Sequence, residues 1–280
     1  MLQDLQFALR QLLKNPSFSL VAILTLALAS GANTAIFAAI DAVLLHPLPY
    51  PNPDQLVIVQ ETLPRYSLQG IAPTAADYAE FRRQATCFAQ IAAVTGAVAT
   101  LTGDGPPEDV PAQRLTSSAF PMLGVVPILG GLFTSEDDQP GRDHVAILSE
   151  GLWTRRYGRD TSIIGKNIQI NRETYRVAGV IRPVLDYRVA ANIWMPLAFD
   201  PSEAAPGTRG PHNIDVIGRL KRGGTIQEAR DVFRRIAAGI VEQYPNQASM
   251  DGGFTIELKQ LAERQAGDLK MPLLVLIAAV

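Results

Sequence analysis

The sequence is poor in the residues that build most chemical sites. Its 280 residues include one cysteine, Cys87, which excludes an intrachain disulfide and a cysteine-rich zinc framework. A lone thiol in the setting Thr86-Cys87-Phe88 reads as a small buried apolar side chain. The three histidines, His46, His144 and His212, stand far apart without an i+4 partner, so spacing offers no metal-ligating pair. No G-x-x-x-x-G-K-[ST] occurs: Gly165-Lys166 is followed by Asn167 and position 160 is Asp. The chain therefore has no phosphate-cradling loop and is not itself a P-loop ATPase. Gly103-Asp104-Gly105 lacks the third glycine of a dinucleotide fingerprint and precedes two prolines, which makes it a turn. Glu136-Asp137-Asp138 has no EF-hand spacing around it and reads as a solvated loop. Long basic runs are missing too. With 25 basic against 27 acidic residues and a net charge of −2, nucleic-acid binding has no electrostatic support. These absences leave no catalytic, cofactor-binding or metal-binding residue to assign, and the chain is not expected to be an enzyme.

The longest absence of charge runs from Phe18 to Ile40, inside an apolar stretch that continues to Leu45 with Asp41 as its one charge. As helix, residues 18–40 span about 34 Å, enough for a hydrocarbon core of about 30 Å, so a lipid bilayer is the first expected partner. Before it, Leu2, Leu5, Leu9, Leu12 and Leu13 share one helical face, and Arg10 and Lys14 lie off it. This predicts an amphipathic interfacial helix over residues 1–16, broken by Asn15-Pro16, and then a transmembrane helix over 17–45. Arg10 and Lys14 precede the span, and no Lys or Arg follows until Arg65, which puts the N-terminus in the cytoplasm and the rest outside. A secretory signal peptide cleaved after Ala27-Leu28-Ala29 is the competing reading, but the apolar run continues well past the alanines. Ala27, Gly31, Ala35 and Ala39 form a small-residue stripe of the kind that lets helices approach closely in lipid.

Pro47, Pro49, Pro51 and Pro53 predict a rigid linker over 46–54. A domain over 55–262 follows, with a strand at Leu56–Gln60. Thr74 and Asp77 have capping-box spacing ahead of a helix at Thr74–Gln84, with Tyr78, Phe81, Ala85 and Phe88 on its apolar side. Ile91–Leu101 reads as strand. The order returns near the C-terminus. Asn213–Leu220 alternates as a strand with one buried face, and Thr225 and Glu228 cap a helix carrying Ile226, Ala229, Val232, Phe233, Ile236, Ala237, Ile240, Val241 and Tyr244. Pro245 stops that helix, and Phe254, Ile256 and Leu258 mark a closing strand. The expected fold is α+β: an N-terminal transmembrane helix, then two strand-helix-strand units, 55–105 and 212–260, with helices on one face of a sheet. They flank a β-rich insert over 106–211. Within it, Asp109–Leu115 and His144–Leu148 are strands, Glu150–Tyr157 is a short helix, and Asn167–Ile170 with Thr174–Ile181 forms a hairpin around Asn171-Arg172-Glu173. Met271–Val280 is uncharged, and 268–280 reads as the start of a second transmembrane helix, cut short.

Residues 4–57, with GANTAIF inside the apolar run and the PLPYP exit, resemble MacB/FtsX-type ABC transporter permeases, above all the large duplicated permeases of soil bacteria. So do Asp77–Arg82, Ser117–Asp138 and the stretch VAILSEGLWTRRYG with its continuation to Val180. The resemblance implies a permease whose MacB-like periplasmic core domain lies between its first span and three further ones. It implies no catalysis by the chain itself, and a bacterial inner-membrane location. It also implies partners: a separate cytosolic ABC ATPase, a second permease copy or half, and a periplasmic adaptor. Export or extraction of a substrate would follow from ATP-driven motion of the spans, with no substrate residue named. The alternative is a single-span, membrane-anchored periplasmic binding or sensory domain.

Overall fold

The computed structural model describes residues 14–40, 48–103, 105–184, 190–208, 210–244 and 253–266. The expected interfacial helix, the end of the first span, the Pro245 stop and the second span at 268–280 lie outside the described residues. The chain divides into two compact units, Met1–Leu48 with Gln265–Val280, and Pro49–Arg264.

The described part of the first unit is helix α1, Pro16–Ile40, of 25 residues. Lys14 is helical and Asn15 is not. Pro16 then opens the new helix at the position where its missing N–H costs nothing, as the Asn15-Pro16 pair predicts. Phe18, Leu20, Val21, Ile23, Leu24, Leu26 and Leu28 are all exposed, Leu28 to 79%. Thr25 and Thr34 turn their hydroxyls back to the carbonyls of Val21 and Ser30, both at 2.8 Å, so these two hydroxyls are satisfied within the helix. Counted over the described residues alone, no helix is long and apolar enough to cross a membrane.

In the second unit, β1 (Leu56–Leu63), α2 (Ala75–Gln84) and β3 (Phe88–Thr102) form one strand-helix-strand unit. The other is β10 (Asp215–Leu220), α5 (Ile226–Gln243) and β11 (Thr255–Gln260), with β2 (Leu68–Ile71) a short addition to β1. The strands interleave in the order β11-β1-β10-β3, with every neighbour antiparallel. Each crossover leaves a gap one strand wide, and a strand of the other unit fills it. Both expected capping boxes are present, Thr74 with Asp77 and Thr225 with Glu228. Both helices lie on one sheet face and share a core of Tyr78, Phe81, Phe233, Ile236, Val57, Val216 and Leu258. Phe81 meets Phe233 at 5.2 Å between ring centroids, edge to face. Gly218 stands where a Cβ would fall 2.4 Å from the Phe88 ring, so this strand position is required to be bare.

One expectation for β10 is corrected. Its alternation predicts one buried face, but Ile217 is fully buried and Asp215 is 4% exposed. The reverse face of the sheet is covered by the segment that begins with α3 (Ala119–Leu123), whose Phe120 is fully buried and stacks edge-on against Phe133 at 4.7 Å. The partly buried Arg219 of β10 donates to the Met122 carbonyl at 2.6 Å, and Ser118 donates to that of Ile91 at 2.7 Å, so hydrogen bonds fasten this cover to the sheet.

Residues 106–211 hold β4 (Glu108–Leu115), β5 (Leu129–Gly130), β6 (Val145–Ser149), α4 (Glu150–Tyr157), β7 (Asn167–Ile170), β8 (Glu173–Ile181) and β9 (Ile193–Pro196). They do not form a separate sheet. The far half of β3 pairs with β4 and also with β7, and the path β3-β4-β9-β6-β8-β7-β3 returns to its start. This is a small closed barrel. Its interior holds Ala99, Leu101, Val110, Leu148, Ile170, Val177 and Met195. The β7–β8 hairpin turns on Asn171 and Arg172, both with positive φ, 53° and 71°. Asn171 also accepts from the Thr100 N–H through its side chain, and its own N–H donates to the Thr100 carbonyl, both at 2.9 Å. That residue therefore stitches the hairpin to β3 and closes the barrel.

Candidate functional site

No site residue is assigned from sequence, and the structure shows how the flagged residues are used instead. His46 lies outside the described residues. His144 is half-exposed, with Nδ1 3.5 Å from Asp143 and Nε2 3.5 Å from Glu173, and its ring lies against Tyr175. Cys87 is partly buried, and burial pushes its thiol up. Asp138 does not belong to a solvated loop. It accepts from the Ser117 N–H at 2.9 Å and from its hydroxyl at 2.7 Å, and its carboxyl is raised, chiefly by burial. Among the described residues no group of three or more His, Cys, Asp or Glu could hold a metal ion.

What the fold offers is grooves at strand junctions. On the reverse face of β3, Val94, Gly96 and Val98 alternate in one row. Opposite them in register stand Asp215 of β10 and Gln113 and Pro111 of β4. Together they line a groove of about 440 Å³ where the interleaved sheet passes into the barrel. Gly96 leaves its floor open, Val98 is 63% exposed, and Gln113 is fixed by accepting from the Trp194 indole at 3.1 Å. A second groove, of about 570 Å³, lies between α5 and the edge strand β11 and is lined by Arg230, Arg234, Ala237, Phe254, Ile256 and Leu258. There Arg230 donates to the Leu258 carbonyl at 3.1 Å, covering one acceptor of the open edge.

A polar contact on β1 lies outside the lining of both grooves. Glu61 of β1 is fully buried, and His212 places Nδ1 3.3 Å from its carboxylate and 2.9 Å from the Ala72 carbonyl. The hydrogen bond to Glu61 raises the imidazole above its usual range, against the opposing effect of burial, and Asp77 adds to the rise. One side chain thus ties the chain leaving the barrel to β1 and to the entry of α2. Sequence reasoning missed the first groove because it exists only once β3 and β4 pair. It missed the contact because Glu61 and His212 lie far apart in the chain.

Residues 19–236 match the family model of the MacB-like periplasmic core domain. The chain belongs to that family. Solved relatives share its fold. A domain of a permease protein from Porphyromonas gingivalis superposes with a TM-score of 0.59 at 14% identity, covering 76% of this chain and 92% of that one. The periplasmic region of MacB from Actinobacillus actinomycetemcomitans gives 0.53 at 14%, covering 82% and 97%. The extracellular domain of the noncanonic ABC-type transporter YknZ from Gram-positive bacteria gives 0.50 at 13%, covering 72% and 99%. Comparison with curated protein sequences finds no match. Membership of this family places the chain in the context of ABC transporter permeases, as the resemblance in sequence implies.

Proposed function

We propose that this MacB-family chain is the N-terminal part of an ABC transporter permease. In this reading it is anchored by a span over 17–45, with residues 55–262 on the extracytoplasmic side of a bacterial inner membrane. It couples ATP hydrolysis by a separate cytosolic ATPase to movement of that domain, for export or extraction of a substrate. A second permease copy or half and a periplasmic adaptor complete the assembly, and a second span begins near residue 268. The observation that carries this reading is that the family match opens at residue 19, inside the apolar helix, and runs through the domain to 236. The helix supports it physically. In the sequence, the uncharged residues 18–40 would rise about 34 Å as helix, against a hydrocarbon core of about 30 Å. The exposed Phe18, Leu20, Val21, Ile23, Leu24, Leu26 and Leu28 of α1 favour lipid over water.

Two experiments test the proposal. Thr154 is exposed on α4, so Thr154→Cys in a Cys87→Ala background should react with a membrane-impermeant maleimide in intact cells. Reaction only after the inner membrane is broken would refute the orientation. In the complete permease, Ala35→Pro or Ala39→Pro should leave ATP hydrolysis running while export stops; full export with proline at either position would refute the coupling role of the helix.

A further inference from the structure

The open edge of the interleaved sheet is β11, which pairs with β1 and with no other described strand. Which of its backbone groups face outward follows from the ladder. Ala93 of β3 donates to the Thr116 hydroxyl and accepts from the Thr116 N–H, both at 3.0 Å, so its backbone faces the β4 side. Backbone direction alternates along an antiparallel ladder. Ala92 and Val94 therefore face β10, Val216 and Gly218 face β1, and Ile58, Gln60 and Thr62 face β11, opposite Lys259, Glu257 and Thr255. Ile256, Leu258 and Gln260 are left with their N–H and carbonyl groups turned to the open side. Arg230 of α5 agrees with this parity, since its Nε and Nη2 donate to the Leu258 carbonyl at 3.3 and 3.1 Å.

Beside this edge runs the groove of about 570 Å³ between α5 and β11. Ile256 and Leu258 form its floor, 9% and 1% exposed, and Ala238 is exposed on the α5 wall. Its charged lining is Arg230, Arg234 and Lys259 against Glu257. Carboxylates already engage two of the cations: Asp231 lies 2.8 Å from Arg234, and Glu257 3.9 Å from Lys259. Glu228 is held in the helix cap by the Thr225 N–H, and Glu263, on the short helix Leu261–Ala266, does not line the groove. Among the described residues, Arg230 has only the neutral Leu258 carbonyl as its partner. The groove thus combines an apolar floor and an unmatched guanidinium with a row of outward backbone groups about 7 Å apart. A small anion matches the guanidinium but not the row; an extended backbone carrying a carboxylate matches both. A second copy of β11 is a poor match, because its own groove-side residues, Ile256, Leu258 and Gln260, carry no charge. Pairing about Leu258 would also bring two Arg230 side chains together.

We propose that β11 is a docking edge for an extended, acidic segment of a partner protein. The segment joins antiparallel to β11, as every neighbour in the interleaved sheet does to the next. It sets a carboxylate opposite Leu258, beside Arg230, and apolar side chains at the flanking groove-side positions. Its residues opposite Ile256, Leu258 and Gln260 exchange the backbone hydrogen bonds. Arg230 shields the Leu258 carbonyl of the free edge and turns to the carboxylate in the filled one.

The test uses the full chain in detergent micelles and a fluorescein-labelled, C-terminally amidated peptide, Thr-Val-Thr-Glu-Thr-Val-Thr, read by fluorescence anisotropy with micelles alone as the blank. Saturable binding is expected, weakening several-fold when the peptide glutamate is replaced by lysine. Arg230→Gln should weaken the glutamate peptide several-fold and leave its glutamine counterpart unchanged. Ala238→Phe, which fills the groove from an exposed position, should abolish binding. N-methylation of the valines and the glutamate removes the N–H groups that face β11 and should also abolish it, whereas N-methylation of the two inner threonines, whose N–H groups face away, should not. These peptide variants leave the chain itself unaltered, so the result does not hinge on the folding of a mutant. Absence of saturable binding overturns the proposal. Binding indifferent to Arg230→Gln, or equally sensitive to both patterns of N-methylation, overturns it as well. Self-association of the full chain that the peptide dissolves overturns it in favour of a second copy.

Discussion

Arg172 holds φ of 71° at the second position of a two-residue hairpin turn, a region where an L side chain is strained and glycine is not. Arg172→Gly is expected to stabilise the domain by about 1 kcal/mol, read as a higher urea midpoint at unchanged slope. An unchanged or lowered midpoint would show the turn to be relaxed as it stands. His212 supplies the pH dependence. Its pKa is raised in the fold by Glu61 above the ordinary 6.5. Its contribution to stability is therefore full below pH 6.5 and is lost as pH rises through the folded value. The urea midpoint should fall across that interval and His212→Gln should flatten the slope; a midpoint that rises with pH there would contradict the assignment. The turn at Asn171-Arg172 was legible from spacing alone, since turns are local. The Glu61–His212 contact was not, because nothing along the chain relates a glutamate in a strand to a histidine many elements away.

Among the elements, the two main helices of the domain were the most legible. Thr74 with Asp77 and Thr225 with Glu228 satisfy orphan backbone donors within one turn, so their spacing carries the information. Thr225→Ala should lower stability by about 1 kcal/mol, and Thr225→Ser should recover most of it, measured by thermal unfolding. Equal losses in both variants would mean that the methyl group, not the capping oxygen, matters. Strands were legible as segments but not as partners. β10 reads as half-buried from its alternation, yet it is covered on both faces, because α3 and its following loop fold back over it. The groove beside Val94, Gly96 and Val98 shares that origin: its floor is one strand and its wall another.

At the scale of the whole molecule, β3 decides how the domain behaves. Fifteen residues long, it contributes one end to the interleaved sheet and the other to the barrel, so neither core can melt without disturbing a shared strand. Trp153 and Trp194 are both buried in the barrel half, and most of the helix described within residues 49–264 belongs to α2 and α5 in the other. Tryptophan fluorescence and far-ultraviolet circular dichroism should therefore follow a single coincident urea transition. Phe233→Ala, in the helical half, should lower both midpoints together through a loss of about 3–5 kcal/mol. Separate transitions, or a tryptophan midpoint that ignores Phe233, would show two independent cores.

Local order decided the parts that sequence alone determined: the apolar run at 18–45, the helix break at Asn15-Pro16, the caps, the hairpin turn and the two strand-helix-strand units. Each is set by residues within a few positions of one another, through hydrogen bonds, sterics or the need to hide apolar surface. Tertiary structure alone decided the interleaving of the units, the closure of the barrel on β3, the covering of both faces of β10 and the meeting of Glu61 with His212. These depend on contacts between segments tens to hundreds of residues apart. Their residue types fit many pairings, and only the packing of one complete core selects among them.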